Sequence, residues 1–119
     1  MTQEDKELLL KDLCARFPYN VAVDCKDEVS RFTCYLTSDM LREIQNNTSY
    51  WEYKTYLFPL SSMIEEQSKI YHELIGGMFG TSSLINFEVL GDFFHKNHFD
   101  YRGLIKKGLA LDATDKNIY

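Results

Sequence analysis

Apolar positions open the chain with helical spacing. Leu10, Leu13, Cys14 and Phe17 fall at i, i+3, i+4 and i+7, which is one face of a helix. Thr2 followed three residues later by Asp5 resembles a capping box, and Gln3, Glu4 and Asp5 suit a first turn. Arg16 closes the last turn and Pro18 stops it, so the pattern predicts a helix over 3–16. The period then changes to two. Val21, Val23 and Cys25 alternate with Ala22, Asp24 and Lys26, and Phe32, Cys34 and Leu36 alternate with Arg31, Thr33, Tyr35 and Thr37. The polar link between these runs predicts an antiparallel hairpin that buries its Val/Cys/Phe/Leu face against the first helix. Two strands alone are marginal, so a further element must cover them.

Thr37 and Ser38 cap an expected short helix containing Met40, Leu41 and Ile44, and residues 46–49 read as a turn. Residues 50–58 are aromatic-rich and strand-prone, and Pro59 ends them. In period two, Tyr50, Glu52, Lys54, Tyr56 and Phe58 share one face, and Trp51, Tyr53, Thr55 and Leu57 share the other. Ser62 with Glu65 reads as a capping box for a second major helix, striped by Met63, Ile64, Ile70, Tyr71 and Leu74 and stopped by Gly76 and Gly77. A loop is expected over 76–83. A third helix follows over 85–97, with Val89, Leu90, Phe93 and Phe94 inward. Asp100 is positioned to cap a short helix over 101–107, ended by Gly108. Residues 113–119 read as a frayed tail. The expected architecture is therefore α+β: a helix, a short antiparallel sheet, then two or three helices, in one small domain over 1–112.

Composition supports one core. A chain of 119 residues with 45% hydrophobic side chains buries about two-thirds of its surface on folding. No apolar run approaches the ~18 residues of a membrane-spanning helix. The start is acidic where a secretory leader is basic and then apolar, which points to the cytoplasm. The formal net charge of −5 argues against wholesale binding to phosphate backbones or anionic lipid. One local exception is the cluster Lys96, Arg102, Lys106 and Lys107 against the single carboxylate Asp100, a possible basic patch.

Cys14, Cys25 and Cys34 are odd in number, lack a C-x-x-C pair and fall on apolar positions, so they read as reduced thiols packed in a core. Asp92, His95 and His98 lie at helical spacing, but no H-E-x-x-H pattern accompanies them, and histidine near a helix C-terminus is favourable without a metal. Cys14 or Cys34 beside a histidine would make a nucleophile–base pair, which spacing alone does not establish. The run from Gly76 to Gly80 lacks the Lys-Ser/Thr of a phosphate loop and follows a helix where a strand is required. No catalytic, cofactor or metal residue is assigned on this basis.

Three stretches are distinctive: Leu13-Cys14-Ala15-Arg16-Phe17-Pro18-Tyr19, Tyr56-Leu57-Phe58-Pro59-Leu60-Ser61-Ser62-Met63, and the run from His98 through Leu111. Together they resemble a family of small proteins from gut anaerobe genomes and the phages and mobile elements within them. The resemblance implies a cytoplasmic accessory protein and brings no activity, cofactor or catalytic residue with it. The residues themselves favour a non-enzymatic module that binds another protein or itself through an aromatic surface of Tyr50, Trp51, Tyr53, Tyr56 and Phe58. A nucleic-acid accessory factor using the basic patch is the alternative, and an enzyme with an unrecognised site comes after it.

Overall fold

Thr2 caps the first helix: its hydroxyl accepts the Asp5 N–H at 3.0 Å. Helix α1 runs Gln3–Arg16 before Pro18 turns the chain through a short 3-10 segment, Phe17–Tyr19. The computed structural model describes residues 1–78 and 83–119. The buried face of α1 differs from the expected one. Leu9, Asp12, Leu13 and Arg16 point inward, Leu10 is half-buried, and Cys14 and Phe17 are exposed. The reason is electrostatic. Asp12 and Arg16 are one turn apart and neutralise each other, so the two charges enter the interior as a pair.

The hairpin forms as expected from β1 (Ala22–Lys26) and β2 (Arg31–Tyr35), with Val23 opposite Cys34 and Cys25 opposite Phe32. Leu36 N–H donates to Val21 O at 3.0 Å. Hydrogen-bonded pairs in an antiparallel ladder alternate, so 21/36, 23/34 and 25/32 exchange bonds. Arg31, Thr33 and Tyr35 therefore turn their peptide groups away from β1, toward an edge where no described strand pairs. Phe32, expected inside, is 46% exposed because it stands on this outer strand and outside the core cluster. Helix α2 (Ser38–Asn46) begins on the Thr37 cap and buries Ile44.

Strand β3 (Glu52–Pro59) pairs antiparallel with β1, Cys25 opposite Tyr53, and the sheet continues with two very short strands. Strand β4 (Phe99–Asp100) runs parallel to Phe58–Pro59, and β5 (Ala110–Asp112) runs parallel to Thr55–Leu57. Strands of two and three residues carry no periodicity, and both pair with residues far away in sequence, which is why neither was expected.

The alternation along β3 holds, and it divides the molecule. Tyr53 and Leu57 join Leu9, Leu13, Val23, Cys25, Leu36 and Ile44 in the main core beneath α1 and α2. Tyr56 lies on the opposite face with Ala22 and Ala113, flanked by Phe58, Leu111 and Ile118. Residues 113–119 are thus not a frayed tail. Ala113 is 1% exposed, and its N–H donates to Leu57 O at 2.8 Å. The Tyr119 hydroxyl accepts the Ala22 N–H and donates to Tyr56 O, both at 2.8 Å. Ala22 and Tyr56 would be the next partners after Val23 and Thr55 in the β1–β3 ladder. The phenol occupies the gap where that ladder opens.

Helix α3 (Glu65–Met78) is not capped by Ser62, whose hydroxyl donates to Pro59 O; Gln67 Oε1 instead accepts the Ile64 N–H at 3.0 Å. The helix passes through Gly76 and Gly77 to Met78, and α4 (Ser83–Lys96) starts two residues earlier than expected. The rest of the expected loop, 79–82, lies outside the described residues. Phe93, Phe94 and Phe99 form a second core with Phe58, Tyr71 and Leu74 that fixes the helix pair to the sheet. Ile64, Ile70 and Val89 remain exposed. Residues 101–108 form turns and not the expected helix, since Gly103 adopts φ +73, outside the helical region. Asp100 still caps them, accepting the Leu104 and Ile105 N–H groups at 2.9 Å each.

Leu13 is 3% exposed at the centre of the main core. Leu13→Ala is expected to cost ~2–5 kcal/mol in denaturant unfolding. Phe32→Ala is expected to cost only ~1 kcal/mol, the value of its ring pairing with Trp51.

Candidate functional site

The aromatic run of β3 is distributed to three places. Tyr56 is buried, its hydroxyl 3.4 Å from Asp24 Oδ1, and Phe58 is half-buried between Phe99 and Tyr119. Neither is free to meet a partner. Tyr50 is 80% exposed, and Trp51 and Tyr53 are half-buried. Trp51 sits at the centre of a surface cluster: Phe32 meets it edge-on at 5.0 Å between ring centroids and Tyr50 at 5.8 Å. Ser49 holds the Trp51 backbone, accepting its N–H and donating to its carbonyl. Phe32 belongs to a different strand and was read from the sequence as core, so the surface gains a member that only the fold supplies.

Beside this cluster lies an open groove of about 570 Å³. Its walls are the start of α1, the end of α2, residues 49–54 and residues 107–109. Trp51, Leu9, Ile44 and Leu109 provide apolar surface, while Glu43, Lys54 and Lys107 provide charge. Tyr53 donates its hydroxyl proton to Glu43 Oε2 at 2.6 Å. Burial, then this bond, pushes the Tyr53 phenol up to about 12, so it stays a donor throughout the neutral range. Lys54 leans on Glu52 at 3.5 Å.

The four expected basic residues do not share one surface. Lys107 faces the groove, and Lys106 is exposed nearby in sequence. Lys96 borders a separate depression with Tyr19 and Asp92. Arg102 turns inward, its Nε donating to Asp12 Oδ1 at 3.0 Å and its guanidinium lying over the Tyr101 ring.

Arg102 thereby joins a charged interior. Arg16 Nε donates to Asp12 Oδ2 at 2.7 Å and Arg16 Nη2 to Phe99 O at 2.6 Å, with both side chains fully buried. Leu9, Asp12, Leu13 and Arg16 themselves stand at i, i+3, i+4 and i+7, which is the signal that the inward face of α1 carried. Tyr101 lies within reach of both guanidinium groups and hydrogen-bonds His95 Nε2 at 2.7 Å. Burial, and then the positive charge of Arg16, lower the His95 pKa. Asp92, His95 and His98 do not converge: Asp92 faces the Tyr19 hydroxyl, and the His98 ring stacks on Tyr119 at 3.7 Å.

The charges of this interior are paired with one another and shielded from solvent, although Arg16 Nη1 and His98 Nδ1 have no hydrogen-bond partner among the described residues. The aromatic cluster and groove, by contrast, combine accessible ring faces with fixed polar groups, an arrangement suited to recognition.

His98 gives this interior a measurable pH response. Burial, then Arg16, hold its pKa down to about 4, against 6.5 for the free side chain. Between those values the unfolded chain binds a proton that the folded chain excludes. Stability is therefore complete above pH 6.5 and falls as pH drops toward 4, by on the order of 2–3 kcal/mol. His98 has φ +60, a conformation asparagine tolerates, so His98→Asn should flatten thermal unfolding across this window. Asp12→Ala should cost ~3–5 kcal/mol at pH 7, because it strands two guanidinium groups. The chain matches no protein-family model, no curated protein and no solved structure.

Proposed function

We propose that the protein is a non-enzymatic interaction module that receives an extended segment of a partner protein along the outer edge of β2, anchored on Phe32, Trp51 and Tyr50. One observation carries this reading: the unpaired edge of β2 bears an exposed phenylalanine that is itself held edge-on against Trp51. Sheets ordinarily cover or charge such edges, because outward N–H and C=O groups recruit further strands. Here Thr33 and Tyr35 turn theirs outward, and large rings flank them. Main-chain bonds to an added strand supply affinity, and the ring cluster supplies selectivity. The resemblance to small proteins of gut anaerobes and their phages supports a cytoplasmic accessory role for the module. Of the basic patch behind the nucleic-acid alternative, Lys107 lies at the groove beside Trp51 while Lys96 and Arg102 stand elsewhere; its signature would be binding that weakens steeply with salt.

Peptides selected by display against the full chain test the proposal. Trp51 is the single tryptophan, so its emission should shift to the blue on binding. Thr33→Pro removes an outward N–H and no bond to β1, and it should weaken binding about tenfold or more, as should Phe32→Ala. A self-association lost in the same variants would identify the partner segment as β2 of a second copy. Binding indifferent to both substitutions, or selection of nucleic acid and no peptide, would overturn the reading.

A further inference from the structure

Cys25 and Cys34 face each other across the hairpin. Cys25 is opposite Phe32 and Cys34 is opposite Val23, so the thiols are diagonal neighbours on one face of the sheet. Their sulfurs are 3.0 Å apart, and each is the other's only side-chain hydrogen-bonding contact among the described residues. We propose that these two residues are a reversible dithiol–disulfide site whose co-reactant is a low-molecular-weight disulfide. The proposal is independent of edge docking.

Three features support it. Closing the sulfurs from 3.0 Å to bonding distance needs an approach of about 1 Å. The hairpin holds the register, through the Val21–Leu36 bond above the pair and the Asp27 N–H to Ser30 O bond of 2.9 Å below it, so the approach is built in. The two thiols also differ in access, Cys34 being half-buried and Cys25 buried. Burial, with the neighbouring Cys34, pushes the Cys25 thiol up to about 12, so Cys25 is the poorer first nucleophile of the two.

The steps follow from that order. The Cys34 thiolate attacks one sulfur of the small disulfide, which breaks and releases one thiolate. Cys25 then attacks the Cys34 sulfur and displaces the second small thiolate, which takes up the Cys25 proton. Two protein thiols are oxidised by two electrons, and one small disulfide is reduced to two thiols that take up the two protons. Excess small thiol reverses the sequence. Cys14, exposed on α1, has no such neighbour and serves as an internal reference.

Incubating the full-length chain with oxidised glutathione, quenching with acid and mapping peptides without reduction tests this. The expected product has lost two hydrogens and links Cys25 to Cys34, while Cys14 carries any stable glutathione adduct; reduced glutathione restores both thiols. Cys25→Ser should trap glutathione on Cys34, and Cys34→Ser should abolish the bridge. If the wild-type chain keeps a persistent adduct on Cys34, or forms the bridge only in denaturant, the proposal fails. The wild-type map alone decides it should either variant misfold, and Thr33→Pro should bridge normally even if edge docking is lost.

Discussion

Arg16 is a full positive charge with no access to water, and much of the fold is arranged around that fact. A guanidinium taken out of solvent is tolerable only where carboxylates and carbonyls replace its hydration. Asp12 supplies one oxygen to Arg16 and the other to Arg102, while Phe99 supplies its carbonyl. The two arginines would repel each other without the shared carboxylate, and the Tyr101 ring lies against both. Satisfying a charge on the first helix therefore fixes the chain at 99–102. From there β4 meets β3, Asp100 organises the following turns, and β5 is delivered to β3. A group that looks like a liability on α1 is what joins the early and late parts of the sequence.

Much of the local structure is legible from neighbours in sequence, but the Ser62 cap, the stop at Gly76 and Gly77 and the helix over 101–107 do not form as expected. The caps at Thr2 and Thr37, the hairpin and the alternation of β3 all depend on side chains a few residues apart, and each formed as read. The other differences depend on distant partners. The inward turn of Asp12 and Arg16 requires Arg102 and Phe99; β4 and β5 require β3; residues 113–119 are ordered by Ala22 and Tyr56. Of the aromatic run, Tyr50, Trp51 and Tyr53 reach the surface or groove, while Tyr56 and Phe58 are taken up by 113–119 and Phe99. Phe32 was assigned to the core because its strand alternates correctly, and alternation does not say which strand stands outermost.

Among the described residues the sheet ends in the very short β4 and β5 on one side and in the five-residue β2 on the other. β3 receives β4 and β5, with aromatic packing and Tyr119 filling the space between elements. Among the described residues β2 has a neighbour on one side only, and both of its faces are largely exposed. Recognition at an edge of this kind uses the backbone itself and tolerates many partner sequences, with the ring cluster around Trp51 narrowing the choice.

The bridging phenol of Tyr119 has a kinetic consequence. Its hydroxyl ties Ala22 to Tyr56 across separations of 97 and 63 residues, so it closes long loops and stands among the most non-local contacts of the chain. Closing loops of that length costs chain entropy that is repaid only when both ends are in place. Interactions absent from the folding transition state hold the native state by slowing its escape and leave the rate of arrival nearly unchanged. Were the Tyr119 bonds made after that transition state, they would act as a latch on lifetime, holding the assembled sheet and leaving its rate of assembly unchanged.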